Sequence, residues 1–171
     1  MASHKTYTTK NSGFTLIEVL VVIGLVTVIS GMAVVVNMDS FRGDNFRAVR
    51  DTFVSSLQHA RALSINNVCY STPLIPCTEG KPHGVHINKY PSGSISDFVL
   101  FQGTTYSSTD ILNSKVEVGE KISKAITYSG LSDIDFEQLT GNTTAGTVTL
   151  TDGVKSSVIT IGSDGQISWT N

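Results

Sequence analysis

The run from Phe14 to Val36, FTLIEVLVVIGLVTVISGMAVVV, limits what this chain can fold into more than any other stretch. From Val19 to Val36 its only polar side chains are Thr27 and Ser30. Roughly 20 apolar residues of helix cross a hydrocarbon core of about 30 Å. The run therefore predicts a membrane-spanning helix over residues 14–36. It is longer than the apolar region of a cleaved secretory signal, and no A-x-A-like site follows it. It reads as retained. Lys5 and Lys10 precede it, with no acidic residue among the first 17. That charge bias predicts a single pass with the N-terminus in the cytoplasm and everything after Asn37 on the far side.

Glu18 is the anomaly in this run. A carboxylate inside the apolar phase is costly and marks a functional candidate by default. The plainer reading places it at the headgroup level, but Phe14, Leu16 and Ile17 extend the apolar run ahead of it. A carboxylate there wants a cation. Lys10 is one candidate, and the α-amine created by a cut just before Phe14 is another.

The stretch SGFTLIEVLVVIGLVTVISGMAVVV resembles the signal of type IV prepilins and type II secretion pseudopilins: a short basic leader ending in Gly, then Phe, then TLIE, then an apolar helix. The resemblance implies that residues 1–13 are a leader cut by prepilin peptidase between Gly13 and Phe14, with N-methylation of Phe14. It places Glu18 at the family's acidic position, where it would pair with the N-terminal amine of a neighbouring subunit. Such a pair in a low dielectric sets register more than it adds net stability. Major type IV pilins commonly carry a proline inside this helix, and Val35 stands there instead. The resemblance thus implies a minor subunit.

Beyond the run, about 130 residues remain, enough for one small domain with its own core. The net charge of −2 and pI near 6 leave no basic field to attract nucleic acid. Residues 37–67 keep helical periodicity: Phe46, Val49, Phe53, Leu57 and Ala60 recur at spacings of three and four. They predict an amphipathic continuation of the helix, with Gly43 as a possible bend and Asn66-Asn67 as its end. After Val68 the period changes. STPLIPCTEGKP is loop, and short strands are predicted over 84–89, 98–102, 115–118, 125–128, 134–139, 147–151, 157–161 and 166–169. Asp152-Gly153 and Asp164-Gly165 read as the turns of a terminal meander. Many short alternating strands predict a two-sheet antiparallel β-sandwich over residues 68–171. The fold class is α+β, with the second half of the long helix packed on that sandwich. Cys69 and Cys77 form a disulfide if the far side is oxidising, or remain two thiols.

LQHARALSINNVCY, HGVHI, ITYSGLSDIDF and VTLTDGVKSSVITIGSDGQISW look like the H-type minor pseudopilin, or FimT-like, branch. Ala60-Arg61 matches its helix end, while Ser64 stands where alanine is usual. This resemblance also implies a long N-terminal helix packed on a two-sheet β-sandwich.

No catalytic constellation is present: there is no G-x-S-x-G, H-E-x-x-H or phosphate loop. His83 and His86 would fall on opposite faces of a strand, which argues against a shared metal. They read as solvated loop residues, and His59 reads as surface. Asp110, Asp133 and Asp135 are scattered, Asn142-Thr143-Thr144 reads as a polar loop, and Phe98 and Phe101 read as core. No cofactor is expected. The expected function is that of a minor pseudopilin near the tip of a type II secretion pseudopilus, not an enzyme. Its partners would be other minor and major pseudopilins, prepilin peptidase and the inner membrane, with a periplasmic β-domain. The rivals are a minor pilin of a type IV pilus, with nucleic acid as partner only in DNA uptake, and a membrane-tethered β-sandwich binding module.

Overall fold

The computed structural model describes residues 13–73, 76–118 and 126–170, with the side chains of residues 33–42 and of Glu117 outside the description. Lys5 and Lys10 also lie outside the described residues. The chain divides into two compact units, Met1–Phe41 and Arg42–Asn171. Among the described residues there is one helix, α1 (Leu16–Ile65), which contributes to both.

In the first unit, every side chain from Gly13 to Met32 is exposed, including the apolar ones on all faces of α1. A helix that is apolar all round needs apolar surroundings. Among the described residues, no helix is long and apolar enough to cross a membrane. The run with described side chains ends at Met32, after about 25 Å of helix, against a hydrocarbon core of about 30 Å. The remaining residues of the expected span, 33–36, fall outside the described side chains.

In the second unit, α1 buries one stripe: Phe46, Val49, Phe53, Val54, Leu57 and Ala60. These spacings of three and four are the helical period read from the sequence. The helix ends in a Schellman arrangement. Asn67 takes φ 55°, Val68 N–H donates to the Leu63 carbonyl at 3.0 Å, and Asn67 N–H donates to the Ser64 carbonyl at 3.1 Å. Asparagine tolerates this left-handed geometry better than most side chains, so the expected stop at Asn66-Asn67 is where the helix stops.

Among the described residues eight strands follow: β1 (His83–Lys89), β2 (Ile95–Gln102), β3 (Ser114–Glu117), β4 (Thr127–Gly130), β5 (Asp133–Phe136), β6 (Gly146–Thr151), β7 (Ser156–Ile161) and β8 (Ile167–Thr170). They form two antiparallel four-stranded sheets, ordered β3-β2-β1-β5 and β4-β6-β7-β8. The sheets are joined by an isolated bridge between Ser94 and Thr127 and by the Ile95 N–H on the Ile126 carbonyl at 2.9 Å. Their inner faces meet in one core with the α1 stripe. Phe53 of α1 is fully buried, its ring 4.9 Å from that of Phe98 on β2.

The terminal meander β6-β7-β8 turns at the two Asp-Gly pairs, with Gly153 at φ 87° and Gly165 at φ 73°. Strand limits differ elsewhere. β2 begins at Ile95 rather than Phe98, and β4 lies at Thr127–Gly130 rather than 125–128 (Ala125 is outside the described residues). β5 stops at Phe136, because Leu139 takes φ 68° and leaves the strand. The early start of β2 buries Asp97. Its carboxylate is satisfied by Asn88 Nδ2 at 2.7 Å, the Ser96 hydroxyl at 2.8 Å and Lys115 Nζ at 3.3 Å. A buried carboxylate needs this set of partners.

Candidate functional site

The N-terminal end of α1 is built on a reciprocal pair. Thr15 precedes the helix, and its hydroxyl oxygen accepts the Glu18 N–H at 3.4 Å. In return, Glu18 Oε2 accepts the Thr15 N–H and the Thr15 hydroxyl, each at 3.2 Å. The Thr15 carbonyl accepts the Glu18 and Val19 amides at 3.1 and 3.3 Å, starting the helical ladder. This is a capping box: Thr15 is the N-cap and Glu18 is at N3. It satisfies amides that have no partner inside the helix and sets a negative charge against the positive end of the helix dipole.

Glu18 therefore has a local role that reasoning from lipid and charge alone missed. The signal was present, since Thr-Leu-Ile-Glu is the capping-box pattern immediately before an apolar run. The box holds the carboxylate at the start of the helix, on the backbone of the residue that follows Phe14.

Gly13 and Phe14 lie just outside the helix, in chain without regular secondary structure. Phe14 is 87 % exposed, and nothing lies within 4 Å of where a Cβ on Gly13 would sit. Farther along, the Thr27 hydroxyl donates to the Gly24 carbonyl at 2.8 Å. That bond satisfies the hydroxyl within the helix and suits it to apolar surroundings.

The other singled-out residues lie in the second unit. Cys69 and Cys77 are paired as a disulfide, their Cα atoms 6.1 Å apart, within the range a disulfide spans. His59 is exposed on α1. The reading of His83 and His86 as solvated loop residues is corrected: both lie in β1. His83 faces inward and is 0 % exposed. Desolvation holds its pKa below the ordinary histidine value, with the Lys81 backbone opposing and His59 reinforcing the shift. His86 faces the opposite side, 2.7 Å from Asp133 and stacked on Tyr106 with centroids 3.8 Å apart. Phe98 and Phe101 are both buried. Among the described residues, no group of three or more His, Cys, Asp or Glu is placed to hold a metal ion.

Residues 8–34 match the prokaryotic N-terminal methylation motif. Comparison with curated proteins and with solved structures finds no match to the chain. The motif spans the capping box, the Gly13–Phe14 bond and most of the exposed apolar helix, and it implies processing by prepilin peptidase and assembly with other pilin-type subunits. It supports a type IV pilin-like protein, pilin or pseudopilin.

Proposed function

We propose that the protein is a minor pseudopilin of a type II secretion system, of the H-type, acting near the pseudopilus tip as a structural subunit and not as an enzyme. The observation that carries this reading is the methylation motif over residues 8–34, set on a helix whose apolar side chains are exposed on every face. Such a helix is stored in lipid and then packed against other helices in a filament. The helix is held in the inner membrane with its N-terminus cytoplasmic, and the β-domain lies in the periplasm. Prepilin peptidase cuts between Gly13 and Phe14 and methylates Phe14. Glu18 then meets the N-terminal amine of a neighbouring subunit and fixes the stagger.

The Cys69–Cys77 pair fits an oxidising compartment. The Val35 position, without the proline of major pilins, favours a minor subunit. The test is deletion of the gene with complementation by wild type. Accumulation of exported proteins in the periplasm, with pili intact, supports the reading. Normal export with loss of pili or of DNA uptake transfers the subunit to a type IV pilus. Normal export and normal pili favour a membrane-tethered binding module.

A further inference from the structure

We propose that the groove between the last turns of α1 and the start of β8 is a docking site for a carboxylate-bearing segment of another pilin-type subunit, with Arg61 as the residue that receives the carboxylate. The inference rests on the assembly role proposed above and adds to it a site on the β-domain.

The groove has a volume of about 400 Å³. Gln58, Arg61, Ala62 and Ile65 line one side, and Gln166 and Ile167 line the other. The four helix residues are spaced i, i+3, i+4 and i+7, so they form a second stripe of α1 beside the one that enters the core.

Arg61 is fixed between two loops. Its Nη2 donates to the Asp164 carbonyl at 3.1 Å. Gly165 at φ 73° and Gly141 at φ 68° both pass close to its side chain. A Cβ on Gly165 would stand 2.6 Å from Nε, and one on Gly141 would stand 3.2 Å from Cγ. Glycine allows both the left-handed backbone and the close approach. The guanidinium is thereby positioned before any partner arrives.

Its charge is not answered within the chain. Among the described residues, Nε is buried without an acceptor, and no carboxylate lies within ion-pair distance of Arg61. Asp164, on the same rim, turns Oδ1 to the Gln166 N–H at 3.1 Å. A cation partly removed from water and left without a counter-charge favours an anion that meets it there.

The lining selects the kind of anion. Gln58 and Gln166 bring neutral amides, and Ala62, Ile65 and Ile167 bring apolar surface. Among the described residues lining the groove, Arg61 is the one Lys or Arg. Nucleic acid and anionic lipid surfaces draw on several cations. One guanidinium among amides and aliphatic side chains suits a single peptide carboxylate with an apolar neighbour. The turn that carries Gly141 also presents Leu139, 63 % exposed at φ 68°, with its N–H fixed on the Ser64 carbonyl at 2.9 Å. A leucine displayed on left-handed backbone is uncommon, and with the exposed Ile65 it offers apolar contact at the same end of the helix. The methylation motif implies assembly with other pilin-type subunits, and those are the chains brought against this domain.

The test is photo-cross-linking of the full chain in its own cells, with a photoreactive phenylalanine analogue at Gln166 or, in a separate variant, at Leu25 of the apolar helix. Both positions should give adducts with a pilin-type subunit, and the Gln166 adduct should map within a few residues of an Asp or Glu of that subunit. Arg61→Gln should lower the Gln166 adduct about tenfold or more, as loss of a charged hydrogen-bonding partner predicts, and leave the Leu25 adduct unchanged. Arg61→Lys, which keeps the charge without the fork, should fall between. Replacing the mapped Asp or Glu by its amide should reproduce the loss with this chain's fold untouched. A Leu25 adduct without a Gln166 adduct overturns the docking site and leaves the assembly role standing. So does a Gln166 adduct indifferent to both the Arg61→Gln and the partner-side change. No adduct from either position overturns the assembly role and the docking site together.

Discussion

Glu18 Oε2 lies 3.2 Å from both the backbone nitrogen and the hydroxyl of Thr15, and the Thr15 hydroxyl lies 3.4 Å from the Glu18 nitrogen. The carboxylate that looks misplaced in an apolar run is thus tied to the first turn of its own helix. The cap and the proposed pairing with a neighbouring subunit's amine make different demands. A cap needs an acceptor oxygen at N3, which glutamine also supplies. An ion pair needs the charge.

Glu18→Gln should therefore keep the first turn protected against amide exchange while reducing incorporation into the filament. Glu18→Leu should lose both. Thr15→Ala should fray the first turn by roughly 1 kcal/mol, about fivefold in local exchange, and leave incorporation largely intact. Cross-linking between the helix and its partner helices gives the second readout. Full incorporation of both Glu18 variants would reduce Glu18 to a cap.

Phe53 is fully buried against Phe98 at the junction of α1 and the first sheet. Phe53→Ala should cost about 3–5 kcal/mol through lost burial and a residual cavity. Denaturant unfolding of the β-domain signal, followed by circular dichroism, measures it. A loss under about 1 kcal/mol would mean the helix does not contribute to that core as described.

The disulfide between Cys69 and Cys77 closes a short loop, for which chain entropy predicts roughly 2–3 kcal/mol of stabilisation. Peptide mapping without reductant should recover the two cysteines in one linked fragment from cell-envelope material. The double variant Cys69→Ser/Cys77→Ser should be less stable by an amount in that range. Two free thiols in the native protein would contradict the pairing.

Asp152 shapes the β6-β7 turn. Burial pushes its carboxyl pKa up, but the Lys155 and Val154 amides at 2.6 and 2.9 Å, with the Lys155 charge, outweigh that and hold it below the usual value. The depressed value means that the turn's contribution is complete above the ordinary carboxyl range and is lost as pH falls through the lower, folded value. Asp152→Asn keeps an acceptor and should preserve the turn. Asp152→Ala should raise exchange at the Val154 and Lys155 amides severalfold. Equal exchange in both variants would remove the side chain from the account.

Periodicity and turn chemistry made much of this fold legible in the sequence. The buried stripe from Phe46 to Ala60 repeats at helical spacing, and the last three strands are separated by Asp-Gly pairs. Asn67 marks the helix end because few other side chains accept its φ. What escaped reading depends on contacts distant in sequence. His83 reads as a solvated residue, whereas it opens β1 on the buried face, beside Ser64 of α1 and edge-on to the Tyr70 ring. Asp97 falls outside the strand predicted over 98–102, and its place inside β2 depends on Asn88 and Lys115 from neighbouring strands to satisfy it. In the candidate site, Glu18 stood out as a charge in an apolar run, and Gly13 and Phe14 stood out through the resemblance to a prepilin signal, whereas the partnership of Thr15 with Glu18 was hidden by the larger question of that charge.

If Gly13–Phe14 is a processing site at the head of a pilin-like helix, the intact mass of the protein from its own cells records the cut. With prepilin peptidase active, the mature chain should begin at Phe14 and carry one added methyl group on its N-terminal nitrogen. In cells lacking the peptidase, the leader should remain. A chain that keeps residues 1–13 in cells with active peptidase, or that begins elsewhere, would contradict the account.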